Sequence, residues 1–105
     1  PKRKSFPITD VYRDENDNQI IEMALAGYDK NLISIEVRSN QITISARGME
    51  SKRESNIARR GFQKTYIDYN NDMDLANAKA TFQQGLLKIV ISPKLGTKCT
   101  KINIE

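Results

Sequence analysis

Apolar and polar residues alternate along most of this chain with the period of two that defines a half-buried β-strand. The clearest case is Ile33, Ile35 and Val37, interleaved with Ser34, Glu36 and Arg38. After a tight turn at Ser39-Asn40-Gln41, Ile42, Ile44 and Ala46 alternate with Thr43 and Ser45. Residues 8–13 form a shorter strand, with Ile8, Asp10 and Tyr12 on one face and Thr9 and Val11 on the other. Asp14-Glu15-Asn16-Asp17-Asn18 is a concentrated turn signal, because Asp and Asn bond their own backbone and tolerate left-handed conformations. A strongly apolar strand over residues 19–26 follows, ended by Gly27. Phe62, Lys64 and Tyr66 share one face of a strand over residues 62–67, which Asn70-Asn71-Asp72 breaks. Residues 74–80 admit either one helical turn or a strand beginning near Lys79. Gly85 then turns the chain into the most hydrophobic run, residues 86–91, and Pro93 ends it.

Six or seven short strands at regular spacing, rich in β-branched residues and without a long helix, predict an all-β antiparallel sandwich. The polar stretch over residues 47–56 reads as a loop between strands. Polar residues 92–101 separate Ile102 and Ile104 from the sandwich. Two isoleucines flanking one polar residue point to the same face of an extended strand, so they read as two pegs for a groove, on another copy of the chain.

Composition narrows the function classes. At 105 residues the chain supports one domain, and 38% hydrophobic with 29% charged residues describes an ordinary globular protein. No apolar run approaches the roughly 20 residues of a membrane-spanning helix, and no signal peptide is evident. The sequence begins at Pro1, as a processed or trimmed piece of a longer product would. The net charge of +4 falls to +1 without Lys2, Arg3 and Lys4, so it marks a solvated tail rather than a phosphate-binding face. Cys99 stands alone and permits no internal disulfide. The chain has no histidine, which removes histidine-assisted nucleophiles and the commonest metal ligand. Asp10, Asp14, Glu15 and Asp17 sit in turn-like sequence without metal-ligand spacing. Neither an enzyme, a cofactor nor a metal is therefore expected.

Four landmarks in order resemble the α-crystallin domain of small heat-shock proteins. They are Ala24-Leu25-Ala26-Gly27-Tyr28, the hairpin over residues 35–44, Ala80 followed by Gly85-Leu86-Leu87, and Ile102-Asn103-Ile104. Within the family, Ile57-Ala58-Arg59-Arg60-Gly61-Phe62 is most similar to the bacterial inclusion-body-binding type, which implies a bacterial or phage source. The resemblance implies an immunoglobulin-like β-sandwich over residues 6–92, preceded by a basic remnant (1–5) and followed by a C-terminal extension (93–105). It also implies an ATP-independent holdase of the cytoplasm. Such a protein binds partly unfolded clients, assembles into dimers and larger oligomers, and leaves refolding to other chaperones.

In residue terms, the resemblance implies that Ile102 and Ile104 anchor oligomers. The receiving groove would be lined by Ile33, Ile35, Val37, Ala80 and Phe82, and Arg60 would sit at a dimer interface. Two features depart from the family pattern. Only Pro1 to Ser5 precede the domain, where the family carries a longer, Phe-rich arm. The loop at residues 47–56 is short and lacks aromatics, where bacterial members carry a strand that swaps into the partner. Two other readings compete: a co-chaperone-like sandwich docking one defined partner, and a nucleic-acid-binding β-domain using Lys2, Arg3 and Lys4 with Tyr12 or Tyr28.

Overall fold

The computed structural model describes residues 6–48, 61–95 and 104. Seven strands form two antiparallel sheets: β1 (Thr9–Arg13), β2 (Gln19–Ala24), β3 (Ile33–Arg38), β4 (Gln41–Ala46), β5 (Phe62–Ile67), β6 (Lys79–Gln83) and β7 (Leu86–Ile91). One sheet has the order β1-β2-β7-β6 and the other β3-β4-β5. Their inner faces meet in a core built from the alternating positions: Ile21 and Met23 of β2, Ile42 and Ile44 of β4, and Leu87, Ile89 and Ile91 of β7. Leu25, Tyr28, Met73 and Leu75 close its ends.

The turns follow local chemistry. The Asp14 carboxylate accepts hydrogen bonds from the backbone N–H of Asn16 and of Asn18, each at 2.9 Å, and from Asn18 Nδ2 at 3.0 Å. These bonds, with that from the Asn18 side chain foremost, hold the Asp14 carboxyl below its ordinary pKa. Between β6 and β7, Gln84 (φ 51°) and Gly85 (φ 78°) both lie in the left-handed region, the backbone of a tight hairpin turn. A Cβ on Gly85 would approach the Ala26 Cα to 2.9 Å, so that position has no room for a side chain.

The segment at residues 74–80 resolves its two readings in sequence order, since a short 3-10 turn, Leu75–Asn77, leads directly into β6. A second such turn, Lys30–Leu32, capped by the Asp29 side chain, lies in the expected connector before β3. Strand β2 ends at Ala24, two residues sooner than its apolar run suggests. Leu25 and Ala26 belong to a bend in which the Tyr28 N–H donates to the Leu25 carbonyl at 3.1 Å, and the Leu25 N–H donates to the Gly85 carbonyl at 2.7 Å. Beyond β7 the chain stays paired for a few residues: the Asp74 N–H donates to the Ser92 carbonyl, and the Lys94 N–H to the Asp72 carbonyl.

Candidate functional site

A two-sheet sandwich has two lateral openings, each between an edge strand of one sheet and an edge strand of the other. Here β3 faces β6 on one side, and β1 faces β5 on the other.

The β3–β6 opening is an apolar groove. Ile33, Ile35 and Val37 pair in register with Ala46, Ile44 and Ile42, and therefore point inward. Ala80 and Phe82 pair with Ile89 and Leu87 and point inward from the other side. Edge strands have a neighbour on one flank only, so Ile33, Ile35 and Phe82 stay half-buried while Val37 and Ala80 stay exposed. Their partners Ile42, Ile44 and Ile89 are almost fully covered.

The groove has two compartments. One, of about 400 Å³, is lined by Ile33, Ile35, Ala80, Phe82 and Leu87, with Lys30 at its rim. The other, of about 240 Å³, is lined by Ile35, Val37, Ala80, Leu75, Ala78 and Ile89, with Lys79 among its walls. Ile35 and Ala80 belong to both and mark the division. All five groove residues expected from the sequence thus line one continuous trough.

Lys30, Leu75, Ala78 and Leu87 are additional lining residues. Leu87 was detectable as the inward position of its strand, but Lys30 and Ala78 enter through connectors whose course no periodicity reports. On both walls the outer backbone edge is unpaired within the described residues: β3 pairs with β4 alone, and β6 with β7 alone. An extended segment entering the groove would meet hydrogen-bonding backbone on each flank and apolar side chains beneath.

The opposite opening is filled. Phe6, Tyr28 and Phe62 form a ring cluster with centroids 5.9–6.4 Å apart, and Phe62 meets both other rings edge-on. Pro7 is fully buried, and the Lys64 ammonium, on an inward-facing position of β5, donates to the Pro7 carbonyl at 3.4 Å. The far end stays open, as a cleft of about 200 Å³ walled by Arg13, Gln19, Tyr66, Asp68 and Asp72 over the core residues Ile21, Ile42 and Ile91.

Of the expected anchor, Ile104 is 98% exposed and so does not occupy the groove of its own chain. Ile102 and Arg60 lie outside the described residues, as do Lys2, Arg3, Lys4 and Cys99. Among the described residues no group of three or more His, Cys, Asp or Glu is arranged to hold a metal ion, and no helix is long and apolar enough to cross a membrane.

Comparisons with known proteins agree with this architecture. Residues 11–105 match the model of the Hsp20/alpha crystallin family. The chain is 29% identical over 103 residues to the small heat shock protein hspJ of Dictyostelium discoideum, covering 94% of this chain and 64% of that protein. It is 28% identical over 101 residues to small heat shock protein C1 of Rickettsia felis, covering 93% of this chain and 59% of that one. The chain therefore spans about three-fifths of the length of these relatives. Among solved structures, a small heat-shock protein from Xylella fastidiosa superposes with a TM-score of 0.70 at 21% identity, covering 98% of this chain and 99% of that one. One from Synechococcus phage S-ShM2 does so with a TM-score of 0.69 at 22% identity, covering 95% and 100%. At this identity the superpositions establish the shared sandwich fold.

Proposed function

The chain belongs to the Hsp20/alpha crystallin family, and from that premise we propose that it is an ATP-independent holdase chaperone acting in the cytoplasm. It binds partly unfolded proteins in extended form, keeps them from aggregating, and leaves their refolding to other chaperones. No catalytic step is needed. One observation carries the reading: the β3–β6 groove is apolar, uncovered and flanked by two strand edges that are unpaired within the described residues. A partly unfolded chain exposes what such a trough accepts, namely short apolar stretches with free backbone N–H and C=O groups.

The same groove receives Ile102 and Ile104 from a neighbouring copy, and assemblies grow through that contact. An extended chain advances about 3.3 Å per residue, so the segment between Ile91 and Ile102 reaches up to about 36 Å, enough to cross to a neighbour. Burying both isoleucines contributes on the order of 3–6 kcal/mol before association and ordering costs. After those costs the contact is weak and reversible. It acts as a latch that exchanges with clients for one surface, and it holds assemblies only when several act together. Arg60 is assigned to a dimer interface on its family resemblance.

The test compares the chain with Ile102→Ala/Ile104→Ala by native mass over a concentration series, beside suppression of light scattering from a heated client. The doubly substituted chain should be smaller at every concentration. Equal masses would remove the latch, and failure of the unsubstituted chain to suppress scattering would remove the holdase reading.

A further inference from the structure

The charges that line the β3–β6 groove are of one sign. Lys30 and Lys79 are the ionisable residues among the walls of its two compartments, and no Asp or Glu stands with them. They mark opposite ends of the trough. Lys30, in the 3-10 turn that leads into β3, lies in the compartment of Ile33 and Phe82. Lys79, the first residue of β6, lies in the compartment of Val37. Both side chains are exposed, so their carbon stems lie along apolar walls while the ammonium groups stay in water. Among the described residues neither ammonium is held in an ion pair or a side-chain hydrogen bond.

The acids nearest in sequence are committed elsewhere. The Asp29 carboxylate accepts from the Asn31 N–H at 2.9 Å, and the Asp74 carboxylate from Asn77 Nδ2 at 2.8 Å, each within its own turn. Glu36 pairs in register with Thr43, on the opposite face of β3 from Ile35 and Val37, and so points away from the groove. The trough therefore presents an apolar floor between two cationic ends.

That layout sets what a bound segment must carry. Ile35 and Ala80 divide the floor in two, and residues two apart on an extended strand share one face at a spacing of about 6.6 Å. An extended segment therefore places residues i and i+2 in the compartments, one in each. Positions i−1 and i+3 fall just beyond that pair, one at each end, where a lysine stands.

We propose that Lys30 and Lys79 are specificity-determining residues, and that they make the groove select client segments in which an apolar pair at i and i+2 is flanked by Asp or Glu at i−1 and i+3. The proposal rests on the groove reading above and names the class of segment which that groove prefers. Because a lysine stands at each end, an acid-flanked segment is matched in either direction along the trough. The chain's own Ile102 and Ile104 are matched less well, since Lys101 precedes them and Glu105 follows. Whichever way that segment enters, one flank is attracted and the other repelled. Acid-flanked clients therefore displace the latch more readily than base-flanked ones do. Specificity is a difference of affinities, and repulsion of basic flanks supplies it together with attraction of acidic ones.

The experiment titrates the full chain carrying Ile102→Ala/Ile104→Ala, so that the latch does not compete, with three peptides blocked at both ends: Glu-Ile-Asn-Ile-Glu, Gln-Ile-Asn-Ile-Gln and Lys-Ile-Asn-Ile-Lys. Affinity is read from the amide resonances of Ile35 and Phe82. At low salt the Glu peptide should bind about tenfold more tightly than the Lys peptide, with the Gln peptide between them, and the gap should close at about 0.5 M salt because exposed charges are screened. With Lys30→Glu/Lys79→Glu added, the order should reverse, which also shows that this variant is folded. Equal affinities of the three peptides for the chain with both lysines would overturn the charge selection and leave the groove reading standing. An order that does not reverse in the charge-swapped chain would overturn it as well, because other residues would then set the preference. If no peptide shifts Ile35 or Phe82, the groove reading fails and the charge selection falls with it.

Discussion

The two lateral openings of this sandwich solve one geometric problem in opposite ways. Each lies between two edge strands that lack an outer neighbour among the described residues, and each would expose core side chains to water. On the β1–β5 side the chain supplies its own filling: Phe6, Tyr28 and Phe62 pack edge to face, Pro7 is buried behind them, and Lys64 reaches the Pro7 carbonyl. An inward-pointing lysine on an edge strand also discourages a further strand from adding there. On the β3–β6 side, Ile33, Ile35 and Phe82 are left half-covered over a trough with compartments of about 400 and 240 Å³. Aromatic filling stabilises the first opening, while the second remains available for an extended segment from elsewhere. Under the proposed function, stability and binding fall to different flanks of one fold.

That division can be broken most severely at the filled flank. Phe62→Ala removes the ring that meets both of its neighbours edge-on, and should lower stability by about 3 kcal/mol in urea titration. Folded molecules of that variant should still bind a Lys101–Glu105 peptide with unchanged affinity. The matching change on the open flank, Phe82→Ala, should cost only about 1 kcal/mol, because the ring is half-covered. It should nevertheless weaken the same peptide about tenfold in a fluorescence titration. If both variants lose stability and binding in proportion, the flanks do not divide these roles.

Next in size is Gly85→Ala, at the hairpin that holds β6 against β7. The left-handed φ and the 2.9 Å approach to Ala26 together should cost about 2 kcal/mol. Because β6 is one wall of the groove, hydrogen exchange should quicken in residues 79–83 before it does in β4. Uniform quickening would show that the wall has no separate mobility.

The smallest expected effect lies at the β1–β2 turn. Hydrogen bonds, chiefly from the Asn18 side chain, hold the Asp14 carboxyl below its ordinary pKa. A lowered folded-state pKa contributes stability that is present above the ordinary carboxylate range and is lost as pH falls through the folded-state value. Acid titration of Asp14→Asn beside the original chain should therefore show a shallower loss of stability at the acid end of that range. Identical curves would mean that the turn makes no pH-linked contribution.

Much of this architecture was legible because strands announce themselves by alternation. Ile33, Ile35 and Val37 against Ser34, Glu36 and Arg38 specify one buried face whatever the rest of the chain does, and the same holds for Ile42, Ile44 and Ala46. The groove residues were legible as an inward-facing set joined to a family resemblance. Their half-exposure was not, because alternation cannot separate an edge strand from a central one. The aromatic filling was equally hidden. Phe6, Tyr28 and Phe62 are isolated in sequence, and nothing local marks them as neighbours.

The sequence by itself determined the strands, their inward faces, the turns built by Asp14 and Gly85, and the family to which the whole pattern belongs. These are local matters, set by side-chain period and backbone preference. Tertiary structure alone decided which strands became edges and which opening was filled. Those outcomes depend on strand order and register, and residues far apart in the chain acquire a common surface only when the sheets have paired.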